Sequence, residues 1–74
     1  MNINFLIEGL ADQGTATSII DKIKKIVGVQ DATLDVKTGE LSLTLERPNG
    51  IIFKLVEHVV QKQDGSLVLK QATS

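Results

Sequence analysis

The stretch DATLDVKTGELSLTLE, residues 31–46, decides the fold. Apolar and polar residues alternate in both of its halves, which predicts two strands that each bury one face. Residues 37–39 separate the halves, and Gly39 can supply the positive φ that a tight hairpin turn requires. We therefore predict an antiparallel hairpin whose inward residues are Ala32, Leu34, Val36, Leu41, Leu43 and Leu45.

A strand and an amphipathic helix precede this hairpin. Residues 3–9 alternate as a strand that buries Ile3, Phe5 and Ile7. The following apolar residues recur at three- and four-residue spacing, the pattern of one helix face: Ala16, Ile19, Ile20, Ile23, Ile26 and Val27. Gly28 can adopt the left-handed conformation that often ends a helix, so we expect the helix to run up to it.

A second helix and a short strand are predicted after the hairpin. Asn49 can cap a helix in which five apolar residues share one face, namely Ile52, Leu55, Val56, Val59 and Val60. Many of these residues are β-branched and Asn49-Gly50 is also a hairpin signal, so a strand over residues 51–56 remains the alternative. Asp64-Gly65 ends the helix, and Leu67 and Leu69 mark the last strand.

The resulting order is βαββαβ, which predicts an α+β, ferredoxin-like sandwich: a four-stranded antiparallel sheet with two helices on one face. The 74 residues suffice for one core, so we expect a single domain over residues 1–74, with an ordered core of about residues 2–70 and a short tail at 71–74. The strand residues that point away from the helices are mostly polar or acidic, as on a solvated sheet face. Leu6 and Val68 are the apolar exceptions on that face.

Composition excludes several classes of function. The chain has no cysteine and a formal net charge of -1, which offers no basic field for nucleic acid, and its open face lacks the aromatic residues that stack RNA bases. No signal peptide or long apolar segment is evident, so we expect a complete cytoplasmic protein without a membrane partner. His58 is the single histidine, on a predicted solvent-facing helix position, and no nucleophile is paired with a base. We therefore expect no enzyme activity and no catalytic residue.

Three segments carry a resemblance to a known family. They are Gly9-Leu10-Ala11-Asp12-Gln13-Gly14-Thr15, then Gly28-Val29, then Asp35-Val36-Lys37-Thr38-Gly39. This series resembles the heavy-metal-associated (HMA) domains, the metallochaperone-like modules of copper chaperones and metal-pumping ATPases. In that family the first segment reads Gly-Met-x-Cys-x-x-Cys. Counting forward from Gly9 and counting back from Gly28 give the same result: the first cysteine position falls on Asp12 and the second on Thr15. The resemblance therefore implies that this chain lacks the ligand cysteines.

The resemblance implies a degenerate metal site. Soft metals such as Cu(I) are held by thiolates, which Asp12 and Thr15 cannot provide, so we expect no cofactor. One carboxylate and one hydroxyl supply far fewer oxygens than a calcium site needs. The alternative to a protein without a cofactor is one that binds a metal ion weakly at these residues. The residue types instead favour Asp12 as a turn or cap residue, with Gly14 easing entry into the helix.

The expected function is therefore that of a non-enzymatic HMA-like module that binds another protein or itself, the latter as a homodimer. From the family's docking surface, the candidate partner-binding residues are Leu10, Asp12, Thr15, Lys22 and Lys25. Leu6 and Val68, beside an exposed strand edge, are candidates for self-association. Two alternatives stay open: a metal-binding or metal-transport accessory protein that uses Asp12 and external ligands, and an ACT-like small-molecule regulatory domain.

Overall fold

Six elements follow one another along the chain: β1 (Asn2–Glu8), α1 (Gln13–Ile23), β2 (Val29–Leu34), β3 (Glu40–Leu45), α2 (Ile52–Gln63) and β4 (Val68–Gln71). The structure, a computed structural model, describes residues 1–48 and 50–72. Its element order confirms the predicted ferredoxin-like class. Residues 52–63 are helical, so the alternative strand over residues 51–56 is wrong.

The four strands form one sheet in the order β2-β3-β1-β4, and every neighbouring pair is antiparallel. The predicted hairpin is the β2–β3 pair, in which Ala32 stands opposite Leu43. β1 lies in the middle, beside both β3 and β4, so β2 and β4 form the two edges of the sheet. The two helices pack against each other, α1 also against β2 and α2 against β4.

The core lies between the sheet and the helices. Alternate residues of the central strands are buried, as the sequence pattern predicts, and the helices contribute every third or fourth residue. Phe5 of β1 meets Phe53 of α2 edge to face, with ring centroids 5.7 Å apart and an interplanar angle of 67°. The fully buried side chains of the core are Phe5, Ile19, Ile23, Leu41, Leu43, Leu45, Val56, Val60 and Leu67.

The core position predicted at the end of the first helix is wrong. α1 ends at Ile23 rather than near Gly28, and Val27 is 92% exposed. The chain leaves the helix through tight turns, in which the N–H of Ile26 donates to the carbonyl of Ile23 at 3.0 Å. Such i→i+3 bonds advance the chain by three residues per turn, so the helical spacing no longer predicts which side chain faces inward. Gly28 has the expected positive φ of 95°.

Two strand boundaries also differ from the prediction. β2 ends at Leu34, so Val36, predicted as an inward strand residue, lies in the turn that follows. β4 includes Gln71, which was expected in the tail, and the N–H of Ala72 donates to the carbonyl of Asn4 at 3.3 Å. Asn49, the predicted cap of the second helix, lies outside the described residues, as do residues 73–74. Ile51 occupies the position before the first turn of α2.

Candidate functional site

Three connections meet at one end of the sheet, which we call the first-loop end: residues 9–12 after β1, the hairpin turn at 35–39, and the turn at 64–67 before β4. The N–H of Ile7 donates to the carbonyl of Gly39 at 2.8 Å, which joins the hairpin turn to β1. Gly39 has a φ of +79°, and a Cβ there would collide with the carbonyl oxygen of Ile7. The hairpin turn can therefore lie against the end of β1 only because residue 39 is glycine.

Asp12 and Thr15, which the resemblance aligns with the family's cysteines, are joined by a hydrogen bond. Asp12 is extended (φ -123°, ψ 123°) and precedes the first residue of α1. One carboxylate oxygen accepts the N–H of Gly14 at 3.2 Å, and the other accepts the hydroxyl of Thr15 at 3.2 Å. The Asp12 carbonyl accepts the N–H of Ala16 at 3.1 Å, the first helical bond. Asp12 thus caps α1, as its residue type suggested.

The turn before β4 brings another carboxylate to this end. Asp64 lines a cavity of about 140 Å³ together with Asp12 and Thr15. A single oxygen of Asp64 accepts the hydroxyl of Ser66 at 2.7 Å and its N–H at 2.9 Å. These bonds, the hydroxyl first, hold the pKa of Asp64 below its ordinary value. The sequence pattern marked Asp64 only as a helix end, because its nearness to Asp12 depends on the chain topology.

The chemistry available at this end is limited. Across residues 1–48 and 50–72, no group of three or more His, Cys, Asp or Glu side chains is arranged to hold a metal ion. Both carboxylate oxygens of Asp12 and one of Asp64 already accept hydrogen bonds from nearby residues of the chain. His58 is exposed on α2. The donor set at Asp12 and Thr15 is therefore poorly matched to a soft metal and suited to holding the loop.

The candidate lysines lie at the other end of α1. Ten residues separate Lys22 from Asp12, or about 15 Å of helix. The Lys22 ammonium donates to the side-chain oxygen of Gln63 on α2 at 3.0 Å. Lys24 instead approaches Asp31 of β2, at 3.9 Å. Lys22 and Lys24 therefore turn to opposite sides of α1. Lys25 is exposed and comes after the end of the helix. The lysines thus do not form one patch with the first loop.

Leu6 and Val68 lie on adjacent strands of the open sheet face, as expected. Leu6 stands opposite Lys70, and Val68 stands opposite Glu8. Lys70 and Glu8 form an ion pair at 2.7 Å across the diagonal between them. Leu6 is half-buried and Val68 is 47% exposed. The apolar patch formed by Leu6 and Val68 is therefore small, and the Lys70–Glu8 ion pair lies between its two residues. Leu10, at the first-loop end, packs against the core and is half-buried.

Known proteins resemble the chain in structure rather than in sequence. No family model matches the sequence, and a comparison with curated proteins finds no match. The N-terminal domain of PacS from Synechocystis superposes with a TM-score of 0.74 at 19% identity, over 99% of this chain and 98% of that one. The yeast copper transporter domain Ccc2a, solved in apo and Cu(I)-loaded states, gives 0.78 at 10% identity, over 97% and 94%.

A CopZ metallochaperone gives a TM-score of 0.73 at 12% identity, over 97% of this chain and 100% of that one. At such identities the similarities establish the fold, and they confirm the resemblance to heavy-metal-associated domains at that level. In the described part of the chain, neither helix has the length and apolar character needed to span a bilayer.

Proposed function

We propose that this chain, which has the fold of the heavy-metal-associated domains, is a non-enzymatic protein-binding module of the cytoplasm. In this proposal the first loop has a structural role and does not bind a metal. The observation that carries it is the pair of hydrogen bonds from Gly14 and Thr15 to the Asp12 carboxylate, each 3.2 Å long. Both side chains at the ligand positions are used within the chain, and neither is a thiol.

The metal-carrier alternative would use Asp12 with ligands from a second molecule. Its test is mass spectrometry under native conditions, on untagged protein supplied separately with Cu(I) and Zn²⁺. We expect no stoichiometric metal in the wild type or in Asp12→Ala. A metal bound one to one by the wild type and lost in Asp12→Ala would replace the proposal with the carrier function, while Asp21→Ala on the same helix controls for the loss of one carboxylate.

A gain-of-function experiment tests the register of the loop. The double substitution Asp12→Cys, Thr15→Cys puts two thiols at the start of α1, where two sulfurs can hold Cu(I). We expect this variant to compete for Cu(I) with a chromogenic chelator, and the wild type not to do so. A matched control, Asp12→Cys with Ser18→Cys, places the second thiol farther along the helix. Equal copper affinity in both variants would contradict the proposed correspondence with the family's ligand positions.

The interaction role rests on the exposed surfaces rather than on a buried site. The candidates remain the first-loop end, with Leu10, Asp12 and Thr15, and the open face at Leu6 and Val68. Self-association through the open face predicts that Val68→Lys, which faces Glu8, abolishes any concentration-dependent dimer in sedimentation velocity. A wild-type monomer at all concentrations would remove the homodimer and leave a different protein as the partner.

An ACT-like sensor remains a prediction without a specific supporting feature. A thermal-shift screen with amino acids and related metabolites tests it, and a flat response would remove it.

A further inference from the structure

The edge strand β2 and the helix α1 enclose a groove of about 410 Å³. Its floor is apolar: Ala16 and Ala32 are buried, and Ile20 and Leu34 are partly buried and pack on the core. Polar side chains from both elements line its sides, namely Gln13, Thr17, Asp21, Lys24 and Thr33. A groove between a helix and a sheet edge is the setting in which proteins bind an extended segment as an added strand.

The backbone of β2 presents hydrogen-bonding groups toward this groove. The N–H of Asp35 donates to the carbonyl of Glu40 at 2.9 Å, so the backbone of residue 35 faces β3. Backbone direction alternates along an antiparallel strand, so Thr33 and Asp31 also face β3, whereas Ala32 and Leu34 face the open edge. β2 is an outer strand of the sheet. An added strand would therefore pair with the N–H and C=O groups of residues 32 and 34.

The structure also shows how this edge is protected. The Asp31 carboxylate accepts the N–H of Ala32 at 2.9 Å, and Lys24 lies 3.9 Å from the same oxygen. The pairing register shifts between Val29 and Asp31, which marks a bulge at the start of the strand. Charged side chains and bulges are the common devices that stop sheet edges from pairing with other chains. Asp31 therefore occupies the donor that an incoming carbonyl would take.

We propose that the α1–β2 groove binds an extended segment of another protein as a fifth strand, and that the segment alternates basic and apolar residues. Asp31 within β2 and Asp35 directly after it lie on the sheet face that points away from the helices, and both are acidic. Basic residues of the added strand would stand beside them, and the intervening apolar residues would enter the groove over Ile20. The segment's carbonyl would displace the Asp31 carboxylate from Ala32, and its basic side chain would pair with the released carboxylate.

A second copy of this chain fits the same edge less well. An antiparallel pair of β2 strands would put Asp31 and Asp35 of both copies on one sheet face, opposite each other when the pair is centred on Thr33. Like charges directly opposite each other destabilise a strand pair. This inference rests on the proposed protein-binding role but uses a surface separate from Asp12, so the metal experiments and the experiment below can fail independently.

Three synthetic octapeptides test the proposal by amide chemical-shift titration of the full chain: alternating Lys-Val, alternating Glu-Val, and Lys-Val N-methylated at its Val residues. In an antiparallel fifth strand, the Val residues enter the groove opposite Ala32 and Leu34, so their N–H groups face β2. We expect saturable shifts at Ala32, Leu34 and Ile20 with Lys-Val alone. Equal binding of the N-methylated peptide would show attraction by charge without strand pairing and overturn the proposal. Absence of Lys-Val binding, or shifts centred on β4, would also overturn it.

Asp31→Asn separates the charge from the edge bond. The amide oxygen can still accept the N–H of Ala32, so the edge stays covered while the negative charge is removed. We expect about two- to five-fold weaker Lys-Val binding, the range of one cross-strand charge pair. The control is Glu57→Gln, which removes one negative charge at an exposed position of α2. That helix packs against α1 and β4 rather than β2, so the variant should bind the Lys-Val peptide as tightly as the wild type does. A dimer of the free chain with exchange protection at β2 would make a second copy the occupant and contradict the proposal.

Discussion

Replacing Asp12 measures how much of the first loop's role is structural. Asp12→Ala removes the acceptor of the Gly14 N–H and of the Thr15 hydroxyl. Loss of a side-chain cap costs about 1 kcal/mol of unfolding free energy, and loss of a negative charge at a helix N-terminus about 0.3–1 kcal/mol more. We therefore expect a loss of about 1–2 kcal/mol. For a domain of this size, that loss lowers the melting temperature by roughly 4–16 °C.

The substitution series separates the two contributions. Asp12→Asn keeps an oxygen that can accept from Gly14 but removes the charge, so it should cost only about 0.3–1 kcal/mol. Asp21→Ala removes a carboxylate from the exposed surface near the other end of α1, and should stay within about 0.5 kcal/mol of the wild type. Urea unfolding followed by circular dichroism measures all three variants, with unchanged slopes as the check that only stability has changed.

A double-mutant cycle tests whether Asp12 and Thr15 act together. Thr15→Val removes the hydroxyl that donates to Asp12, so the losses in Asp12→Ala and Thr15→Val should not add, and the coupling should be about 0.5 kcal/mol or more. If Asp12→Ala were as stable as Asp21→Ala, or if the cycle showed no coupling, the interpretation of Asp12 and Thr15 as a structural pair would be refuted.

Two further predictions concern the other connections of the first-loop end. Gly39→Ala should lower the free energy of unfolding, measured in urea, by at least about 1 kcal/mol more than Gly28→Ala does. Both glycines have a positive φ, but only at Gly39 would a Cβ meet the carbonyl of Ile7. Equal losses in the two variants would contradict this reason. Ser66→Ala should raise the pKa of Asp64 toward its ordinary value in a carboxyl NMR titration. Folding lowers this pKa in the wild type, so the stabilisation that it represents is present above the unfolded pKa and is lost as pH falls through the folded value. An unmoved pKa would show that the Ser66 hydroxyl is not the main cause of the lowering.

The strands and helices could be predicted because most of them bury one face. The inward face is indicated by alternating apolar residues in the hairpin and in β1. In α2 it is indicated by the helical spacing of the apolar residues around Val56. The end of α1 could not be predicted in the same way. Val27 fits the helical spacing, yet the chain has already passed into tight turns after Ile23, where local hydrogen bonds rather than burial decide the direction of each side chain.

The site was predictable only where it depends on neighbours in sequence. Asp12 and Thr15 are three residues apart, so a cap could be inferred from residue type. Asp64 joins them through the pairing of β1 with β4, which no local pattern records. In the same way, the partners of Lys22 and Lys24, Gln63 on α2 and Asp31 on β2, follow from the packing of distant elements beside α1.

The cap and a metal site make opposite demands on the same residues. A soft metal needs thiolate ligands at these positions, whereas the Asp12 carboxylate serves as the acceptor of the Gly14 N–H, which would otherwise lack a helical partner. A chain without cysteines is free to use these positions for stability alone. The engineered Asp12→Cys, Thr15→Cys protein would therefore exchange one property for the other: it loses the cap, and it regains stability only as far as Cu(I) binds the folded state. Copper-dependent recovery of its melting temperature, absent from the wild type, is what this opposition requires.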